Sequence, residues 1–435
     1  MAGPQFPPEQ EDIGGEAVRP GRLGILRRLA VDLTPLRRSP AYRRLWIGQG
    51  ISAIGNQITT VAIPFQLYQL THSTLMVGLL AGVALVPLLT MTLLGGAVAD
   101  AVDRRRLLIC TDLALIATST TLLVNATLAH PRVWVLFVAE VAGTTAYGFF
   151  RPALDAMTPR LVGVDMIAQA SALESIYSSL AHVAGPAGGG VLIAVIGLPG
   201  AFAVDIATFA ASLTSVFLLP PMPPVHEVDR PGVRSIVEGF RYVRGRPALT
   251  GIFVADTNAM IFGMPIALFP AYADHFGGGA QTVGFLYAAP WAGALIGSLS
   301  SGWIGHVRRQ GLGVCVAIAC WGVSVVLFGL AGRLWLALIF LAAAGASDFV
   351  SAVLRSAILM QTAPDELRGR LSGIELAQVA SAPALGNLEA GVVASVTSLR
   401  FSVVSGGLAC IVGIVAIGVL IPALVRHEQP AGAPA

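Results

Sequence analysis

Apolar residues in this chain fall into runs of about 20, separated by short polar breaks. The runs lie at roughly 45–70, 75–98, 107–128, 133–157, 166–195, 198–219, 248–273, 283–305, 312–331, 334–358, 372–397 and 402–425. A hydrocarbon layer about 30 Å thick is crossed by about 20 helical residues. The pattern therefore predicts an all-α membrane protein with twelve transmembrane helices. A transmembrane β-barrel would show short alternating strands instead, and no such alternation is seen.

Composition agrees. Of 435 residues, 55% are hydrophobic and 12% charged, against about 25% charged in soluble domains. Mean hydropathy is +0.75. The four cysteines all lie in apolar runs and read as small buried hydrophobes. Neither a disulfide framework nor a metal-ligand spacing is visible, so no metal and no cofactor is predicted.

The arginines set the orientation. All 27 basic residues are arginine. All but Arg132, Arg333 and Arg400 sit in the N-terminal stretch, in 99–106, 151–165, 220–247, 306–311 and 355–371, or at Arg426. Positive loops stay inside, so the reading is a multi-pass protein of a cytoplasmic membrane with both termini cytoplasmic. Residues 1–38 are rich in Pro, Gly, Glu and Arg and lack an apolar signal-peptide core; they read as a disordered tail. Residues 39–219 form a first six-helix bundle and 248–425 a second, with a tail at 426–435. The central loop, 220–247, opens on Pro220-Pro221 and carries the capping pattern Ser235 to Glu238. Ile236, Val237, Phe240 and Val243 follow at helical spacing, which predicts an amphipathic helix on the membrane surface.

The two halves echo each other. Gly185-Pro186 in the fifth run has a counterpart in Ala382-Pro383 of the eleventh, and Arg151 with Thr158-Pro159 in Arg355 with Ala363-Pro364. The charged turn Gly95–Arg106 has a degraded counterpart at 302–309 that lacks its acid. This order predicts a duplication with a substrate path between pseudo-symmetric halves.

Two motifs resemble the major facilitator superfamily of secondary transporters. One is Gly96-x-x-x-Asp100-x-x-x-Arg104-Arg105-Arg106; the other is Gly185-Pro186-x-x-Gly189-Gly190, similar to the fifth-span motif of its antiporters. Thr71-His72-Ser73-Thr74, Val77-Gly78-Leu79, Gly284-Phe285-Leu286-Tyr287, Ser301-Gly302 and Gly369-Arg370-Leu371 are similar to the bacterial enterobactin (siderophore) exporter family and its drug-efflux relatives. The resemblance implies a cytoplasmic latch of Gly96, Asp100 and Arg104 or Arg105. In it Asp100 faces the start of the eleventh span near Gly373, and Asp155 is the partner of Arg104 or Arg105. It also implies a packed hinge at Gly185, Pro186, Gly189 and Gly190 against the eighth span.

Acids within spans are costly and are functional candidates by default. Asp348 and Asp256, the deepest, are the first candidates for proton carriage, then Asp205 and Glu140. Asn56, Gln57, His182, Asn258, Gln361 and Gln378 are candidate cavity residues, with interhelical bonding as their alternative role. A P-loop requires lysine and the chain has none. No nucleophile–His–acid set is evident, so no enzyme is predicted. The expected partners are a small-molecule substrate, protons and the lipid bilayer, without nucleic acid, and the expected unit is a monomer. The expected function is proton-coupled export of a siderophore such as enterobactin or of an amphipathic drug. A multidrug efflux pump and a non-transporting sensor or scaffold are the alternatives.

Overall fold

The computed structural model describes residues 32–223 and 240–429, except the side chains of 92–94, 96–97, 99–100 and 365–366. Every described element is helical. Four of the spans start at a short side-chain cap. Ser39, Ser73, Asp103 and Ser398 accept from the amides of Tyr42, Met76, Arg106 and Phe401, which satisfies donors that a helix start leaves open.

The first four spans are Pro40–Thr71, Thr74–Ala101, Arg104–Thr127 and Val133–Val162. Ile167–Phe217 then runs as one helical stretch across a break at Gly197, where φ is 73°. The first span shows that two antiparallel spans meet at this break. Tyr42 donates to Ala170 O, Trp46 to Leu173 O, and Gly185 and Gly189 lie against Gln57 and Ile58, so the partner number rises along the first span. On the sixth-span side it falls: Gly48 meets Ser215, Gln49 meets Ser212, Gly55 meets Thr208 and Thr59 meets Asp205. A parallel fifth span and an antiparallel sixth flank the first, and a single glycine makes the reversal.

The seventh span is interrupted. Pro247–Phe262 gives way at Gly263 to a short turn, Ile266–Leu268, and then to Phe269–His275. The freed backbone groups find partners. Trp321 donates to Gly263 O at 3.0 Å, and Ala267 N donates to Asn387 Oδ1 at 2.8 Å. Broken backbone at membrane depth survives only when it is satisfied this way. The remaining spans are Ala280–Leu299, Gln310–Leu330, Leu334–Thr362, Asp365–Val396 and Leu399–Leu420. Among the described residues, ten helical stretches are long and apolar enough to cross a membrane. One of them, Val164–Phe217, holds two spans. The first span escapes that measure because it carries Gln49, Asn56, Gln57 and Gln66, and with it the count is the twelve that the runs predict.

At the arginine-rich end, chain segments are strapped onto each half. Leu219 and Met222 join a core with Leu45, Leu108, Phe150 and Met157. Arg104 N donates to Met222 O at 3.2 Å, and Arg160 donates to Pro223 O at 2.8 Å. Past the central loop, Tyr242 donates to Thr362 O at 3.1 Å and Val243 is buried. After the last span, Leu424 is fully buried beside Gly251. Gln429 N donates to Arg308 O at 2.8 Å and Arg309 pairs with Glu428 at 3.3 Å. Burial pushes the His427 imidazole below its ordinary pKa.

Two expectations change. In the tail expected to be disordered, residues 1–31 lie outside the described set, but Thr34–Arg38 is a helix, started by Pro35 in its first turn. The capping pattern at 235–238 lies outside the described residues; Phe240–Arg244 is helical, and Val243 is buried against protein.

The Gly197 conformation (φ 73°, ψ 174°) is open essentially to glycine alone. Gly197→Ala is expected to cost about 1–3 kcal/mol and to lower the melting temperature of the purified protein. Gly143→Ala, in a helix with nothing within 4 Å of the added Cβ, should leave it unchanged or slightly raised.

Candidate functional site

The two halves meet through two glycine crossings. In one, Gly190 of the fifth span lies on Gly284 of the eighth, and a Cβ on either would stand 2.9 Å from the other's Cα. In the second, Gly78 of the second span lies on Gly391 of the eleventh, where a Cβ would stand 3.1 or 2.9 Å from the opposing Cα. Thr74 donates to Gly391 O at 3.3 Å beside it. Side chains that small let backbones touch. Both crossings lie at the end away from the arginine-rich loops. Deeper in, the His182 ring sits on Trp291 of the eighth span, centroids 4.2 Å apart, while His182 Nδ1 bonds Ser178 O at 2.8 Å.

The Gly185-Pro186-x-x-Gly189-Gly190 segment has two packing faces. Gly185 and Gly189 receive Gln57 and Ile58 of the first span; Gly190 receives the eighth. Pro186 has no N–H to bond, and its carbonyl lies against Gly284. All four motif residues are buried.

The arginine-rich end is packed differently in the two halves. A Cβ on Gly369 or Gly373, at the start of the eleventh span, would meet nothing within 4 Å. On the fourth span Arg151 is half exposed. It pairs with Asp155 one turn on at 3.2 Å and with Glu174 of the fifth span at 2.6 Å. Its counterpart in the second half, Arg355 of the tenth span, is 5% exposed and is paired with Asp256 of the seventh. Gln378 of the eleventh span donates to Asp256 Oδ2 at 3.1 Å, Thr257 Oγ1 at 2.9 Å and Phe253 O at 2.8 Å. Ile252, Phe253, Asp256, Arg355, Leu359, Glu375 and Gln378 line one small cavity, of about 10 Å³. A buried pair holds only while both partners and their remaining hydrogen bonds are in place. Asp348 stands seven residues before Arg355, hence on the same helix face, with its Oδ1 buried and lacking a hydrogen-bond partner. Glu140 is likewise eleven residues before Arg151, within electrostatic reach of Tyr287 across the interface.

Other predicted site residues act within one half. Asp205, fully buried, accepts from Thr59 and Ser119, each at 2.7 Å. Asn258 donates to Cys410 O at 2.9 Å and so ties the seventh span to the twelfth rather than facing a cavity. Asn56 and Gln57 both receive Thr60 Oγ1, through the Asn56 carbonyl and Gln57 Oε1. Gln361 is exposed near the end of the tenth span.

Only part of the expected latch lies within the described residues. The Asp100 side chain falls outside the described set, as does any side-chain detail at Gly96. Arg104 is buried at 6% exposure. Arg105 bonds the Val216 and Phe217 carbonyls at 3.3 and 2.7 Å, at the partly negative end of the sixth span. Asp155 is not on Arg105; it is on Arg151, which the i,i+4 spacing places within reach. The sequence reading left Arg355, Glu174, Glu375, Tyr147 and Tyr177 off the site. The signal for Tyr147 and Arg355 was present as a one-face repeat: 140, 147, 151 and 155 on the fourth span, 348 and 355 on the tenth.

Two six-helix bundles meeting in this way form the fold of the major facilitator secondary transporters. A solved POT family transporter in complex with 5-aminolevulinic acid superposes with a TM-score of 0.72 at 13% identity, over 89% of this chain and 97% of that one. The nucleoside transporter NupG superposes with a TM-score of 0.69 at 14% identity, over 89% and 100%. The family model described as transmembrane secretion effector matches residues 30–431, and the chain belongs to that family. It is 30% identical over 396 residues to the enterobactin exporter EntS of Shigella boydii serotype 18 (strain CDC 3083-94 / BS512), covering 90% of this chain and 94% of that protein. The protein is thus a multi-pass secondary transporter of a small molecule, not an enzyme.

The glycine crossings predict a mutational signature. Gly284→Val should prevent the fifth and eighth spans from touching. In a background with Cys110, Cys315, Cys320 and Cys410 changed to serine, the thiol introduced by Thr74→Cys should then react several-fold faster with a membrane-impermeant maleimide. An unchanged rate would show that the crossing does not close that end.

Proposed function

We propose that this protein exports a siderophore-like small molecule from the bacterial cytoplasm in exchange for protons, by alternating access. The carrying observation is the buried Asp256–Arg355 pair, tied to the eleventh span through Gln378, in a chain whose halves touch through paired glycines at the end away from the arginine-rich loops. The arginine-rich end is the cytoplasmic one by the positive-inside rule, so both termini are cytoplasmic and the path is open inward. A proton entering from outside gains about 2.3 kcal/mol per 100 mV. Protonation of Asp256 removes the charge that holds Arg355, frees Gln378 and loosens the seventh, tenth and eleventh spans together. Asp348, two turns along the same face, is the second carrier.

The glycine crossings must part for the cargo to leave. The Gly96–Asp100–Arg104 segment then has a role when the cytoplasmic end closes, with Asp100 brought toward the helix start near Gly373, where backbone N–H groups favour a carboxylate. Gly185, Pro186, Gly189 and Gly190 keep the fifth span seated on the first while its other face separates from the eighth. Similarity to an enterobactin exporter supports a siderophore cargo. A broader drug-efflux reading is favoured by the exposed aromatic rings Tyr147 and Trp291. Deletion of the gene separates the two: lowered chelator secretion supports the first, and sensitivity to unrelated dyes the second.

Proteoliposome export driven by a pH gradient tests the coupling. Asp256→Asn and Asp348→Asn are each expected to abolish or strongly reduce it, and full pH-driven export by both would defeat the proton assignment. Stability gives a separate check on the pair. Arg355→Gln alone leaves Asp256 buried and unpaired and should cost about 3–5 kcal/mol, whereas Arg355→Gln with Asp256→Asn should recover most of that loss in a thermal unfolding assay.

A further inference from the structure

The cytoplasmic wall of the first half carries aromatic rings that the coupling pair does not use. Tyr147, Arg151 and Asp155 follow one another at four-residue spacing on the fourth span, so they share a face. That span packs its adjoining face on the second, where Gly148 receives Met91 and Gly95 receives Gly148 O and Pro152. Tyr147 is left 45% exposed, and the Arg151 side chain 47%. Across from them the fifth span presents Glu174 and Tyr177. The Trp46 ring meets the Tyr177 ring edge-on at 6.0 Å and is fixed by its Nε1 bond to Leu173 O at 3.1 Å. Tyr42 is fixed in the same way on Ala170 O at 3.1 Å. Tyr177 lies within electrostatic reach of Glu174, Arg151, Tyr147 and Tyr42, so rings and charges form one cluster.

Its charge balance decides what the cluster can hold. One guanidinium, Arg151, faces two carboxylates, Asp155 and Glu174. The counterpart, Arg355, is held by Asp256 and shares its cavity with Glu375. Both groups carry one more carboxylate than guanidinium, and Glu140 and Asp348 add further acids on the same two helix faces. An arriving anion would have to displace a carboxylate from Arg151 and then sit beside it. A cation would meet ring faces, which attract positive charge, and a carboxylate surplus.

We propose that Trp46, Tyr147, Tyr177 and Glu174 form a cargo subsite for an aromatic group that is cationic or uncharged, and that this wall rejects aromatic anions. The subsite rests on the transport reading for its use, but its binding preference does not require transport. For a phenolic chelator the consequence is direct. Free phenols ionise near pH 10, so the metal-free form enters uncharged, while a metal complex of its phenolates carries negative charge and is refused.

The test is equilibrium binding to the purified full chain in lipid nanodiscs, with three probes that share a ring system: naphthyltrimethylammonium, 2-naphthol and naphthalenesulfonate. The expected order places the ammonium tightest and the sulfonate weaker by about tenfold or more. Glu174→Gln should weaken the ammonium by about fivefold and leave naphthol unchanged; Tyr177→Leu should weaken both. Should Glu174→Gln not fold, Tyr147→Leu carries the ring part of the test and Asp155→Asn the charge part. Sulfonate binding as tight as the ammonium, or ammonium binding indifferent to these substitutions, overturns the proposal. Loss of pH-driven export with the probe order intact would defeat the export reading and leave the subsite standing. Export with no probe order would do the reverse.

Discussion

The contact on which this structure depends has almost no side chains in it. Gly190 on Gly284 and Gly78 on Gly391 bring two pairs of helices to backbone contact. In lipid, apolar side chains gain little by leaving the surrounding tails, so close packing has to supply the cohesion. Two crossings hold the halves together at the end away from the arginine-rich loops. Thr74 and the ring pair His182–Trp291 add polar and aromatic contact to what is otherwise a fit of shapes. A methyl group is enough to spoil it, which explains why these four positions are glycine while nearby helical glycines such as Gly143 and Gly188 meet no neighbour within 4 Å.

The two halves differ in how they hold one arginine each. Arg355 has gone inside, where it pairs with Asp256 in a small cavity; Arg151 has stayed at the water-exposed wall with Asp155 and Glu174. Burial makes the first pair an all-or-nothing arrangement, since removing either charge strands the other. Exposure makes the second adjustable, because solvent screening leaves such pairs only weakly bound. The two echoed positions thus hold a buried pair in one half and an exposed pair in the other.

Much of this was legible in the chain. Run length gave the spans, arginine placement gave a consistent sidedness, and the Gly-Pro-x-x-Gly-Gly spacing pointed to the close-packed fifth span. What the sequence hid is which neighbour each polar residue chooses. Asn258 reads as a cavity residue, yet it bonds the Cys410 carbonyl on a distant span. Arg104 or Arg105 reads as a partner for Asp155, and Arg105 bonds carbonyls at the end of the sixth span. Asp256 and Arg355 are 99 residues apart in the numbering, and no local pattern connects them. Helix periodicity assigns a face; the identity of the facing helix comes from the packing of all twelve. The one-face repeat of acid, tyrosine and arginine on the fourth span was readable, and it is the feature a reading by motif alone passes over.

The strap after the last span bears on how the molecule can be handled. Leu424 is buried beside Gly251 of the seventh span, and Gln429 is bonded to Arg308 in the turn before the ninth. A reporter or affinity handle fused close behind Gln429 would therefore pull on two spans of the second half, one of which carries Asp256. A handle separated by a long flexible spacer would leave that anchorage at rest, so the choice of fusion site is itself a mechanical intervention in this protein.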